Sequence, residues 1–189
     1  PWQSVFIGTA AVSVAAGLMV IALLPEPPAS AGAAVRGLSA ASLKLALGSL
    51  WTDRRVRASV FGYFGHMWEL YTVWVLMPVI LATRLQGAAL SWAAFAVLGA
   101  GALGCAGGGA LVSRMGSSGG ARVAAVQLAA SGLCCLAAPW LLGASGLWFA
   151  LWLMVWGITV AGDSPQFSAL TATNAPRHAV GSVLTLTNC

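Results

Sequence analysis

Charge is what this sequence lacks. Asp, Glu, Lys and Arg make up 7% of its 189 residues, against about 25% in soluble domains. Hydrophobic residues make up 59%, and the mean hydropathy is +0.88. So little polar surface cannot cover a soluble fold of this size, which excludes a soluble globular protein. Acids are scarcer still, only Glu26, Asp53, Glu69 and Asp163. The roughly ten-residue alternating segments of a membrane β-barrel are missing too. The cysteines Cys105, Cys134, Cys135 and Cys189 all lie in apolar runs without zinc-ligand spacing. They read as small hydrophobic core residues, and neither a metal nor a cofactor is expected. No initiator Met and no signal-peptide pattern opens the chain, and it stops at Cys189 inside an apolar run. It is therefore expected to be an internal fragment of a longer protein. A net charge of +5 would suggest nucleic acid in a soluble protein. Here the basic residues sit between apolar runs, so no nucleic-acid partner is expected and the charges speak to topology.

Long apolar runs are what the sequence has. Five stretches, about 5–24 (span A), 58–83 (B), 91–112 (C), 121–142 (D) and 147–172 (E), match the roughly 20 residues that cross the hydrocarbon layer. A sixth, span F at 180–189, is cut short. The expected fold is an all-α integral membrane protein, five transmembrane helices plus a truncated sixth, with the lipid bilayer as its main partner. It divides into residues 1–24, a loop at 25–57 and a bundle at 58–189. Pro25-Glu26-Pro27-Pro28 ends span A, since proline cannot continue a helix. Residues 29–37 are rich in Gly and Ala and read as flexible. Leu43, Leu47 and Leu50 then recur at helical spacing, with Lys44 off their stripe. That predicts a short amphipathic helix, on the membrane surface or packed on the protein. Thr52 is the expected cap of span B, with Asp53 in its first turn. Pro78 is expected to kink span B, and Pro165 to interrupt span E. In span C, Ala100, Gly104 and Gly108 form one small-residue ridge, with Gly101, Cys105 and Gly109 on the next, as helices need for close approach. A phosphate-binding glycine loop is excluded, because these glycines lie in an apolar run with no strand before them.

The basic residues set the expected orientation. Arg36, Lys44, Arg54, Arg55, Arg57, Arg114, Arg122 and Arg177 fall on one side of the spans, and Arg84 alone on the other. Lys and Arg concentrate in cytoplasmic loops. The loop 25–57 is thus expected in the cytoplasm and the N-terminus outside, in a bacterial inner (cytoplasmic) membrane. Trp2, Trp92, Trp140 and Trp148 then fall together at the outer interface, as an aromatic belt does.

Two of the four acids, Glu69 and Asp163, lie well inside apolar runs. A charge at membrane depth is costly unless paired or hydrated, so each marks a candidate site. On span B, Ser59, Tyr63, His66, Glu69 and Thr72 are three or four apart and lie near one face. On span E, Trp156, Thr159, Asp163, Gln166 and Thr173 do the same. His66 is at a depth where it can meet Asp163; a structural His66–Glu69 pair is the plainer alternative. The candidate substrate and proton-coupling residues are Glu69, Asp163, His66, Tyr63, Gln166 and Trp156. Gly162-Asp163-Ser164 invites comparison with a serine hydrolase, but no strand–turn–helix context surrounds Ser164, and no enzyme is expected. A channel-like or purely structural membrane domain is the main competitor; a pore calls for a polar stripe on repeated helices, and here the acids are isolated.

The turn after span C reads Gly109-Ala110-Leu111-Val112-Ser113-Arg114-Met115-Gly116, with Arg122 beyond. It resembles the G-x-x-x-D-R-x-G loop motif of the major facilitator superfamily, with Ser113 at the Asp position. The arrangement of spans and loops is similar to that family's twelve-helix plan. Span A resembles helix six, the 25–57 loop the central loop, spans B to E helices seven to ten, and span F the start of helix eleven. The resemblance implies a secondary transporter of a small solute, working by alternating access, whose missing N-terminal half is a partner. It also implies that spans B and E line the central cavity. Burial disfavours a charged carboxylate and a nearby cation favours it. An acid in a cavity opening alternately to either side meets both conditions, which is the physical basis for coupling protons to substrate.

Overall fold

The computed structural model describes residues 2–23, 40–116, 119–177 and 179–187. The segments Pro25–Pro28 and 29–37, with His178 and Cys189, lie outside the described residues. Among the described residues every regular element is a helix. The chain divides into a unit of residues 1–37 and a unit of residues 38–189. The first contains α1 (Trp2–Leu23), 22 residues without a charged side chain. From Gln3 on, every residue of α1 is exposed.

The second unit contains α2 (Ala40–Thr52), α3 (Arg54–Ala82), α4 (Gly87–Gly99), α5 (Gly101–Met115), α6 (Gly119–Leu141), α7 (Gly146–Gly162), α8 (Ser164–Asn174) and α9 (Val180–Thr187). Helix α4 runs into α5 and α7 into α8, so each pair makes one 29-residue span broken once. Together with α1, α3 and α6, five stretches of the described residues are long and apolar enough to cross a membrane. The protein is thus an all-α integral membrane protein.

Helix α3 starts one residue later than the sequence suggests. Asp53 is its N-cap, in extended conformation (φ −105°, ψ 114°), and its carboxylate accepts from the Arg55 N–H at 2.7 Å. Thr52 instead ends α2, its hydroxyl donating to the Gly48 carbonyl at 3.0 Å. Both residue types cap well, but the Thr52 hydroxyl is occupied by the helix behind it, and a carboxylate also complements the positive end of the helix dipole. In α2, Ser49 is buried and Leu50 packs against the cluster of Val56, Val60, Ala175, Ala179 and Val183, while Lys44, Leu47 and Trp51 stay exposed. One edge of this helix packs on the protein and the other is open. Pro78 lies within α3, on its exposed side.

The buried face of α3 is Val56, Ser59, Tyr63, His66, Leu70, Val73, Met77 and Leu81, spaced by three or four residues. It divides among three apolar clusters. Leu70, Val73, Met77 and Leu81 pack with Val97, Cys134, Phe149, Trp152, Leu153, Trp156 and Val160. Val56 and Val60 pack with Ala175, Ala179 and Val183. Tyr63 packs between them with Ala124 and Phe167. The start of α3 therefore meets the end of α8, and its far end meets the start of α7, so the two spans run antiparallel.

Helices α5 and α7 touch backbone to backbone. A Cβ on Gly104 would collide with the Ile158 carbonyl, and one on Gly101 would lie 2.7 Å from the Ala161 side chain; one on Gly157 would collide with the Val97 carbonyl of α4, the other half of the same span. The Ala100, Gly104, Gly108 ridge is the buried one. Its partners on α7, Gly157 and Gly162, complete a small-residue crossing of the kind membrane helices use. At the other end, Arg84 donates to the Leu142 carbonyl at 2.5 Å and sits 4.2 Å from the Phe149 ring centroid. It ties the turn after α3 to the turn after α6.

Candidate functional site

His66 and Asp163 are the centre of the site. His66 lies twelve residues into α3 from Arg54, and Asp163 eleven residues before Asn174. Antiparallel packing brings them to one level, about 17 Å along the helix from those ends. Their side chains are 0% and 1% exposed, and Nδ1 lies 2.9 Å from Oδ1. This is an ion pair when the imidazole carries both protons. It lacks the alignment of a hydrogen bond, and His66 Nε2 and Asp163 Oδ2 have no hydrogen-bond partner among the described residues.

Local sequence explains each position. Pro165 falls in the first turn of α8, where its missing N–H costs nothing but cannot serve the preceding turn. The span breaks there, and Asp163 is the junction residue (φ −85°, ψ −12°). Its carboxylate caps neither helix and is left to face α3. His66 is held by aromatic rings. Tyr63 stacks on it (centroids 5.9 Å, planes 6° apart), and Phe167 lies tilted at 5.8 Å. Phe167 fits because residue 62 is glycine; a Cβ there would come within 2.6 Å of its ring. The Ser168 hydroxyl donates to the Tyr63 hydroxyl at 3.2 Å. Both side chains are buried between apolar clusters, so a charge on either acts in a medium far less screening than water.

Glu69 is set apart. It is half-buried and faces α6, accepting from the Ser131 hydroxyl at 2.5 Å and lying 3.6 Å from the Cys135 thiol. It does not pair with His66, which Asp163 engages instead. Gln166 is buried on α8; its amide donates to the Gly162 carbonyl at 2.7 Å and accepts from the Gly109 N–H at 3.2 Å. Trp156 is buried in the apolar cluster, stacked on Trp152 at 5.2 Å, with its indole N–H unpartnered among the described residues. Thr72 and Thr173 turn outward, their hydroxyls donating to the carbonyls of Trp68 and Ala169 in their own helices. The structure therefore unites Tyr63, His66 and Asp163, links Gln166 to the same break through Gly162, and leaves Glu69 and Trp156 in separate surroundings.

Sequence reasoning passed over two residues here, Ser131 and Gln127, and read a third, Cys105, only as a small core residue. Ser131 holds Glu69, Gln127 donates to the Gly104 carbonyl at 3.1 Å, and Cys105 donates through its thiol to the Ala161 carbonyl at 3.2 Å. Gln127 and Ser131 stand four apart in span D, which is apolar beyond Arg122. That spacing was the available signal for a polar stripe.

The turn after α5 is short and basic. The Ser113 hydroxyl donates to the Ala110 carbonyl at 2.8 Å. Exposed Arg114 lies in the last turn, where a cation suits the helix dipole. Gly116 ends the helix at φ 70°, a conformation glycine adopts freely. Arg122 is exposed in the first turns of α6. Among the described residues no cluster of His, Cys, Asp and Glu could hold a metal ion.

Comparison with curated proteins and with solved structures returns no match. A family model described as Major Facilitator Superfamily matches residues 1–189. The match spans every helix above, including the broken span that carries Asp163 and the glycine-ended turn that carries Arg114. This chain is a membrane-embedded member of the Major Facilitator Superfamily, a family of transporters of small molecules.

Proposed function

We propose that the protein moves a small solute by proton-coupled alternating access, as a secondary active transporter, and that Asp163 with His66, together with Glu69, forms its coupling machinery. The observation that carries this reading is the His66–Asp163 pair, sealed at the break of a membrane span. A carboxylate there is stable while paired and expensive when its partner leaves. Proton uptake by Asp163 cancels the attraction that holds α3 to the α7/α8 junction, so protonation and helix movement favour one another. Broken spans serve binding sites in other transporters for the same reason: the break frees backbone groups and permits movement. Glu69, bonded to Ser131, is the second proton-exchanging group. Tyr63 orients His66 and Gln166 holds the break, while Trp156 stands apart in the apolar cluster of α7. The chain supplies the helices resembling six to the start of eleven, and alternating access needs the other half of the bundle as its partner.

Asp163→Asn and Glu69→Gln keep shape and hydrogen-bonding capacity while removing titration. In the complete transporter reconstituted in vesicles, each variant is expected to lose gradient-driven accumulation by tenfold or more, on the order of the effect of losing a positioned proton-transfer group. Substrate exchange without a gradient is expected to persist. Full gradient-driven uptake by both variants would refute the coupling role.

The orientation follows the eight-to-one division of Lys and Arg. The loop 25–57, Arg114 and Arg122 face the cytoplasm, Arg84 faces outside, and the membrane is the bacterial cytoplasmic one. The Arg84 tether between the turns after α3 and α6 supports placing those two turns at one membrane face. A membrane-impermeant thiol reagent added to intact cells is expected to label a cysteine placed at position 84 and to spare one at position 114. The opposite pattern inverts the topology.

A further inference from the structure

Gln127 stands half-buried on α6, four residues before Ser131, and takes no part in the His66–Asp163 contact. Its Nε2 donates to the Gly104 carbonyl of α5 at 3.1 Å. The side chain fills a slot that exists because its neighbours are glycines. A Cβ on Gly162 would come within 2.5 Å of Nε2 and 3.0 Å of Cδ, and one on Gly108 within 3.1 Å of Nε2. Gly162 is the last residue of α7, directly before Asp163. Its carbonyl is held by Gln166, whose amide also accepts from the Gly109 N–H. The junction of the broken span is thus fastened to α5 by Gln166 and wedged against α6 by Gln127.

Stability alone does not account for Gln127. Its Oε1 is buried without a hydrogen-bond partner among the described residues, and a half-satisfied amide in the membrane interior costs more than an apolar side chain of the same length would. We propose that Gln127 is a positioning residue: by fixing Gly162 it sets where the Asp163 carboxylate stands against His66, and thereby tunes proton exchange at Asp163. The groups facing this junction are His66 and Tyr63 from α3, Cys105 and the Gly104 carbonyl from α5, Gln127 from α6 and Gln166 from α8. Gln127 is the member that reaches the junction from α6, and it carries no charge of its own in either state.

The proposal rests on Asp163 as a proton-exchanging group, and the two are separable by experiment. The complete transporter in lipid vesicles is titrated while the carboxyl stretching region is followed by infrared difference spectroscopy. The band that Asp163→Asn removes reports that group. Gln127→Leu is expected to shift the midpoint of this band by about one pH unit, a tenfold change in proton affinity. Gly162→Ala, which puts a methyl where the amide lies, is expected to shift it as well. If Gln127→Leu does not fold, Gln127→Met keeps the length without the amide and gives the same reading. An Asp163 band unmoved in a Gln127 variant that is merely less heat-stable overturns the positioning role and leaves the coupling reading intact. A titration without any Asp163-dependent band overturns both.

Discussion

His66→Leu is expected to cost the protein about 3–5 kcal/mol, the range for removing one partner of a buried ion pair. Leucine fills much of the same space, so the loss comes from electrostatics rather than from a cavity. Asp163, 1% exposed, would be left without the imidazole that faces it, among apolar clusters and aromatic rings. The variant His66→Leu/Asp163→Leu removes both members and leaves an apolar contact of similar volume. It is expected to recover most of that loss, because replacing a buried pair by hydrophobic residues is often neutral or stabilising. The two single changes are therefore strongly non-additive, by an interaction energy at the upper end of the range of about 0.5–3 kcal/mol seen for residues in contact. Denaturant titration of the purified protein in micelles, with the double variant beside both singles, measures this directly. If the double variant loses the sum of the single losses, the 2.9 Å contact carries no coupling and the pair is not the keystone of the bundle.

That His66 lies at a depth where it can meet Asp163 was legible in the sequence because two periodicities and one length agreed. Helical spacing placed His66 on the polar face of span B and Asp163 on that of span E. The antiparallel course of the spans brought both to one depth. What could not be read was which acid His66 would choose. Glu69 is three residues along the same helix and Asp163 is on another, and sequence spacing favours neither. The decision belongs to Ser131, on a span with no acid to draw attention, which takes the Glu69 carboxylate and turns it toward α6. The interior of the bundle hid for a related reason. Trp152, Leu153, Trp156 and Val160 dominate α7, and sequence reasoning assigned Gly157 and Gly162 no packing role; the structure sets both against span C. At the start of span B, Thr52 and Asp53 are both strong caps. The bond from Thr52 back to Gly48 decided between them, and it depends on α2 reaching that far.

Gly104→Ala is expected to do the most damage of any single-methyl change in span C. The added Cβ would run into the Ile158 carbonyl, which belongs to the backbone of α7 and has no rotamer by which to escape. Relief requires the two helices to move apart at their closest crossing. That movement would also disturb the Cys105 bond to the Ala161 carbonyl and the slot that holds Gln127. Overpacking of this kind costs about 1–3 kcal/mol and occasionally more; a backbone-to-backbone contact puts Gly104→Ala at the upper end, with Gly157→Ala beside it on the facing helix. Gly107, three residues along the same helix, is the internal control, since a Cβ there meets nothing within 4 Å. Gly107→Ala is expected to leave the protein unchanged or to stabilise it by about 0.5–1 kcal/mol, because alanine loses less backbone entropy than glycine in a helix. The two variants add the same atoms to the same apolar helix, so the difference between their unfolding midpoints isolates the crossing. Equal stability would mean that α5 and α7 do not meet at Gly104, and the junction that carries Asp163 would then have to be held by other contacts.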